Sequence, residues 1–247
     1  MNKTSKIDGN GQNLLKAIFA LIGVVAIVFL PMVFISLHTS AHPNMANSGY
    51  TAALPFAVDS VKIYRESLDI ADDHYNAVKN DLANEVDKYI KSVSKRSRMT
   101  GQTIVDKCLE YNYDIGLLMA QGHLETHFGA ANKNLNVFGI KNKRYSHPDH
   151  AVDDYIRLMQ SRYIINRTPE QLIASNFKLE NGKGHYAGHA SYGKTIGKFR
   201  NRIMNETMIY ELFIKCQKLK NKRDSIKKQL DFHKKVKEDS IRILAGN

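Results

Sequence analysis

Apolar positions fall at helical spacing along most of this chain, and the exceptions mark its boundaries. Ala17 to Leu37 is an unbroken apolar run of 21 residues without a charge. From Phe56 to Val93 a stripe follows, with Val61, Tyr64, Leu68, Ala71, Tyr75, Val78, Leu82, Val86, Tyr89 and Val93 three or four residues apart. That spacing predicts one or two amphipathic helices. Ile104, Val105 and Cys108 give a short helix over Gly101 to Tyr111, and Ile115, Leu118, Met119 and Gly122 a more apolar one starting after Asp114. Gly129 is the expected stop of the latter. Ser146-His147-Pro148-Asp149 reads as a capped start for a helix whose face is Val152, Tyr155, Ile156, Met159 and Tyr163, and Thr168-Pro169-Glu170-Gln171 repeats the signal. Asn176 to Gly184 is a loop with room for a short hairpin through Asn181-Gly182. Ser191 opens a final helix that the pattern carries past Met204 into charged sequence. Few segments alternate with period two, so the expected fold is mostly α.

The 21-residue run is long enough to span a hydrocarbon core of about 30 Å. It exceeds the usual secretory h-region and lacks a good small-x-small cleavage site, which favours an uncleaved anchor over a signal peptide. Lys3, Lys6 and Lys16 precede it against Asp8 alone, and no Lys or Arg occurs from His38 to Val61. The positive-inside rule places the N-terminus in the cytoplasm and the remainder outside a cell membrane crossed once. The organisation expected is a tail (1–16), a transmembrane helix (17–37), a linker (38–55), a helical stalk (56–98), a central domain (99–205) and a basic C-terminal helix (206–247).

Composition sharpens this. The 247 residues carry a formal charge of +12, which favours anionic partners. Ten Lys or Arg against two Asp lie between Lys215 and Lys237. The plain reading of that tract is a solvated helical face, and the sharper one is attraction to anionic wall polymer or lipid headgroups. An exported chain points away from nucleic acid. Cys108 and Cys216 are too few for a disulfide framework; a pair and two separate buried thiols both remain open.

Chemistry concentrates between Leu117 and Lys141, LLMAQGHLETHFGAANKNLNVFGIK. Glu125 lies in the last turn of an apolar helix, where the helix dipole and neighbouring Leu124 and Phe128 disfavour its anion and raise its pKa. A carboxyl so placed suits a general acid near neutral pH; most glutamates at helix ends are only solvated. His123 and His127 stand at i and i+4, a spacing that can hold zinc. Glu125, about 200° round the helix from His123, points away from such a metal, unlike the glutamate of H-E-x-x-H enzymes. No metal and no cofactor are expected.

AQGHLETHFG followed by Asn136-Val137-Phe138-Gly139-Ile140-Lys141 resembles the AQ-x-x-LES-x-WG and N-x-FGIK motifs of bacterial glucosaminidases. HAVDDYIRLMQSRY (His150 to Tyr163) and HYAGHASYGKTI (His185 to Ile196) resemble that family's S-x-x-D-Y-x-x-L-x-x-x-x-x-Y and GYATD-x-x-Y-x-x-K-I segments. The likeness covers Met99 to Asn205. It implies a lysozyme-like domain that cuts the glycan strands of peptidoglycan after N-acetylglucosamine, with Glu125 as general acid. By the same resemblance Asp154 and Tyr186 are further catalytic candidates, and Asn136, Phe138 and Tyr192 contact substrate. For Asn136 and Phe138, shaping the turn beside Glu125 is the simpler role.

The family's β-lobe, which often brings a second carboxylate, is reduced to the few residues from Lys141 to Ser146. Asp149 is accounted for as a helix cap, and Asp153 and Asp154 by a first helical turn that favours anions. Assistance by the substrate's own 2-acetamido group is the alternative to a second carboxylate. Two further readings stand beside the glucosaminidase: a lytic transglycosylase or muramidase of the same fold, and an inactive wall-binding component of an envelope or phage lysis system. Partners in such a system would dock on the terminal helices.

Overall fold

Helical spacing becomes helix almost everywhere in the computed structural model, which describes residues 46–130 and 135–245. In chain order the helices are α1 (Ala46–Val93), α2 (Gly101–Tyr111), α3 (Ile115–Thr126), α4 (Pro148–Arg162), α5 (Pro169–Ala174), α6 (Tyr192–Glu206) and α7 (Ile209–Leu244). Among the described residues there is no β-strand. The hairpin expected through Asn181-Gly182 is a single antiparallel bridge between Lys178 and His185, closed by the Leu179 N–H donating to Gly184 O at 2.7 Å. The fold is mostly α.

The apolar run 17–37 lies outside the described residues, as do residues 38–45 of the linker. Among the described residues no helix is long and apolar enough to cross a membrane. Residues 46–55, expected as linker, are instead the start of α1.

Asp59–Lys235 forms one compact unit, wider at both ends than the central domain read from sequence. Residues 46–58 and 236–245 belong to a second unit and are the helical ends of α1 and α7. Within the larger unit, Tyr75, Val78, Leu82, Val86 and Ile90 of α1 and Ile209, Phe213 and Cys216 of α7 share one core with the central helices. An amphipathic stripe needs an apolar partner, and here the central helices supply it.

Helix α3 runs through the middle. Nine of its twelve residues are buried, on every side, as an all-round apolar helix requires. It packs most extensively against α6. At its N-terminus the Asp114 carboxylate caps by accepting from the Leu117 N–H at 2.6 Å. Arg200 of α6, 5% exposed, donates to both Asp114 oxygens at 3.1 and 2.8 Å and pairs with Glu170 of α5 at 2.8 Å. One buried guanidinium thus joins α3, α5 and α6.

At its other end α3 stops at Thr126, three residues before the glycine expected to stop it. His127 and Phe128 take positive φ of 51° and 56°, and the Phe128 N–H closes back onto Gly122 O at 2.8 Å. Burial decides this. The Phe128 ring is fully buried and packs where a β-carbon on Gly122 would lie 3.0 Å away. The Thr126 hydroxyl, donating to Val137 O at 2.6 Å and accepting from the Gly129 N–H at 2.7 Å, fastens the turn.

Nor do α6 and α7 form the single helix that the apolar period suggests. Thr207 is extended (φ −131°, ψ 162°). Its hydroxyl donates to Ile203 O and accepts from the Ile209 N–H, ending one helix and starting the next.

Candidate functional site

Glu125 leaves the end of α3 half-buried beside a pocket of about 320 Å³, lined also by Leu124, Ala187, His189, Tyr192 and Thr195. The Tyr192 hydroxyl donates to its Oε1 at 2.6 Å, and the Gln121 side-chain amide donates to that same hydroxyl at 3.4 Å. Oε2 faces the backbone of Gly139, where a β-carbon would sit 3.3 Å from it. Gly139 holds φ +64°, a conformation glycine adopts without cost. A missing side chain therefore keeps Oε2 uncovered.

Burial raises the Glu125 pKa above its usual value, and the bond from Tyr192 partly offsets the rise. The direction agrees with the expectation from sequence, and of the two causes expected, desolvation and the helix dipole, it is desolvation that raises it. Burial first, and then the charge of Glu125, push the Tyr186 and Tyr192 hydroxyls well above the usual tyrosine range. Both stay protonated donors at any physiological pH.

Four of the residues marked by the motifs gather here. Asn136 accepts from the Ile140 N–H at 2.9 Å and donates to Ile140 O at 2.7 Å, so it shapes the turn that presents Gly139. Phe138 is buried and stacks on Tyr155 with centroids 4.1 Å apart. The Tyr186 hydroxyl donates to Phe138 O at 2.8 Å, and its ring lies 5.7 Å from that of Tyr192. Tyr186 thus holds the Gly139 turn through its hydroxyl and flanks Tyr192 through its ring.

The aspartates do not join them. Asp154 lines a separate cleft with Lys143 and Arg157, paired with Lys143 at 3.3 Å and accepting from the Tyr145 hydroxyl at 3.1 Å. Asp153 pairs with Lys107 at 3.0 Å. Asp149 is not the cap of α4: His147 Nδ1 takes that place, accepting from the Asp149 N–H at 3.3 Å. Proline at the first helical position leaves Asp149 free to accept from Thr103 of α2 at 2.6 Å. Glu125 is the only carboxylate lining its pocket among the described residues.

The two α3 histidines have other employment. His123 Nδ1 bonds the Tyr89 hydroxyl at 3.0 Å, its ring stacks on Phe199 at 4.2 Å, and burial lowers its pKa. His127 has left the helix. No cluster of three or more His, Cys, Asp or Glu is placed to hold a metal among the described residues. Cys108 and Cys216 are both buried and free.

Gln121 and Gly139 stand inside the two motifs without an assigned role in the sequence reading. Their signal was chemical: a glutamine one helical turn before the glutamate, and a glycine where the loop returns to it. Compared with protein-family models, curated proteins and solved structures, the chain gives no match.

Proposed function

We propose that this protein is a membrane-anchored peptidoglycan hydrolase, with a lysozyme-like domain that cleaves the glycosidic bond after N-acetylglucosamine and Glu125 as general acid. The observation that carries this reading is the Glu125 environment: a desolvated carboxyl of raised pKa, open to a pocket and bonded on one oxygen by Tyr192. Because the Tyr192 hydroxyl donates to Oε1, the acidic proton belongs on Oε2, the oxygen that Gly139 leaves uncovered. Departure of the glycosidic oxygen needs that proton. The motifs from Ala120 to Ile196 supply the substrate class, and the apolar run 17–37 supplies the anchor that places the domain outside the membrane.

Among the described residues Glu125 is the only acid lining the pocket, so the positive anomeric centre is met by the substrate's 2-acetamido oxygen, which closes onto the anomeric carbon as the bond to the leaving sugar breaks. Water then opens that ring, with the Glu125 carboxylate accepting the proton. A lone acid also serves a lytic transglycosylase, in which a muramic hydroxyl replaces water. Digestion of purified sacculi by the full chain and by Glu125→Gln decides between them. New reducing N-acetylglucosamine ends, lost in the variant, are the result expected. Anhydro-muramic ends would move the assignment to the transglycosylase, and products independent of Glu125 would overturn both.

A further inference from the structure

The separate cleft that holds Asp154 has a volume of about 670 Å³, and Tyr111, Ile140, Lys143, Arg157 and Arg162 line it. Three cations stand there against one carboxylate, and Asp154 is already answered by Lys143 and Tyr145. The arginines remain uncompensated. Arg157 lays its guanidinium over the Tyr111 ring at 5.4 Å, and neither it nor Arg162 makes an ion pair among the described residues. Lys107, over the same ring at 6.0 Å, is by contrast matched by Asp153 and Glu110 at 3.0 Å each. Charge around Tyr111 is thus balanced except where it faces the cleft. Tyr111 is itself fixed there, its carbonyl accepting from the Gln160 side chain at 2.9 Å.

The cleft begins one residue from the catalytic turn. Gly139 faces Glu125 Oε2, and Ile140, the next residue, lines the cleft. Asn136 ties both into one turn, its side chain bonding Ile140 and its carbonyl accepting from the Gly139 N–H at 3.3 Å. Ile140 therefore sets one wall of the cleft next in sequence to the turn that faces Glu125. A guanidinium fork fits a planar carboxylate with two parallel bonds, and stacking on an aromatic ring orients that fork.

We propose that the Arg157 and Arg162 cleft binds a carboxylate of the peptide carried by the glycan strand, so that the protein recognises the peptide as well as the sugar. This rests on the peptidoglycan reading above. The cleft selects strands that still bear their peptides, and denuded glycan loses one of its two points of attachment.

Binding of an N-acetylglucosaminyl-N-acetylmuramyl peptide with free carboxylates, and of its fully amidated counterpart, is measured by calorimetry on the full chain in detergent. Glu125→Gln in all samples keeps the ligand intact. R157Q/R162Q is expected to bind the free acid about tenfold more weakly, the loss of roughly one charge-assisted bond, and the amidated ligand as the parent does. K62Q/R65Q removes the same charge from exposed positions of α1 and is expected to change neither. Unchanged free-acid binding by a folded R157Q/R162Q would overturn the proposal. So would arginine-dependent binding of inorganic phosphate with indifference to amidation. Should sacculus cleavage not depend on Glu125 while free-acid binding still depends on the arginines, the hydrolase reading falls and the cleft stands.

Discussion

Tyr192 reaches Glu125 across 67 residues of sequence and donates a 2.6 Å hydrogen bond to its Oε1. The contact sets two properties of the acid at once. It engages Oε1 while Oε2 stays beside Gly139, and it moderates a pKa that burial alone would carry higher.

Removing the hydroxyl separates those properties. In Tyr192→Phe the Glu125 pKa rises further, because the bond that lowers it is gone. On the proposed hydrolase reading the protonated acid is the active form, so the alkaline limb of the kcat/KM profile moves to higher pH. The plateau falls by about tenfold as the carboxyl loses its fixed orientation. A pH profile of reducing-end release from sacculi reads both, and an unmoved alkaline limb would detach Tyr192 from the chemistry.

Local signals carried much of this architecture. Asp114, the apolar period of α3 and the Thr168 capping box, in which Thr168 and Gln171 bond each other's backbone as expected, are short-range patterns, and the structure follows them. Departures came where a distant contact outweighed a local preference. Phe128 takes positive φ because its ring must fill the space over Gly122, and Asp149 answers Thr103, 46 residues away. Thr207 breaks a helix whose apolar period continues through it. The bond between Tyr192 and Glu125 has no local signature at all: the motifs marked both residues, and only the packing of α3 on α6 joins them.

A raised carboxyl pKa costs stability. The folded-state pKa of Glu125 lies above the unfolded value, so its contribution is most favourable below about pH 4.5 and declines as pH rises through the folded pKa. Glu125→Gln keeps an acceptor for Tyr192 without a charge to desolvate. The variant is expected to melt a few degrees above the parent at pH 7 and level with it near pH 4. Thermal scans at the two pH values check this, and a variant less stable at pH 7 would contradict it.

Arg200 is the joint that holds α3 in place. Arg200→Ala leaves Asp114 without its buried partner and opens a cavity between α3, α5 and α6. A loss of about 3–5 kcal/mol is expected, as for other broken buried pairs. Denaturant titration measures it. Arg200→Lys, keeping the charge but not the fork, should recover only part of the loss.

Both thiols should resist modification while the fold is intact. Burial pushes the Cys216 thiol up to about 11 and Cys108 well above its usual range, and the thiolate is the reactive form. An aromatic disulfide reagent at pH 8 is expected to react with the native protein at least roughly a hundredfold more slowly than with a free peptide thiol. Two equivalents should titrate in guanidinium. One fast equivalent in the native state would mean that a cysteine is exposed.

Gly139 ties backbone conformation to the acid. A β-carbon there would stand 3.3 Å from Glu125 Oε2, on a residue whose φ of +64° disfavours any side chain. Gly139→Ala is expected to lose about 1–2 kcal/mol of stability from the backbone alone. In the proposed mechanism the added methyl also covers the oxygen that gives up the proton, so kcat should fall by more than tenfold, well beyond what a small loss of folded protein explains. Pairing denaturant titration with sacculus digestion separates the two effects. A variant that loses stability yet keeps its turnover would show that the proton leaves from a direction Gly139 does not guard.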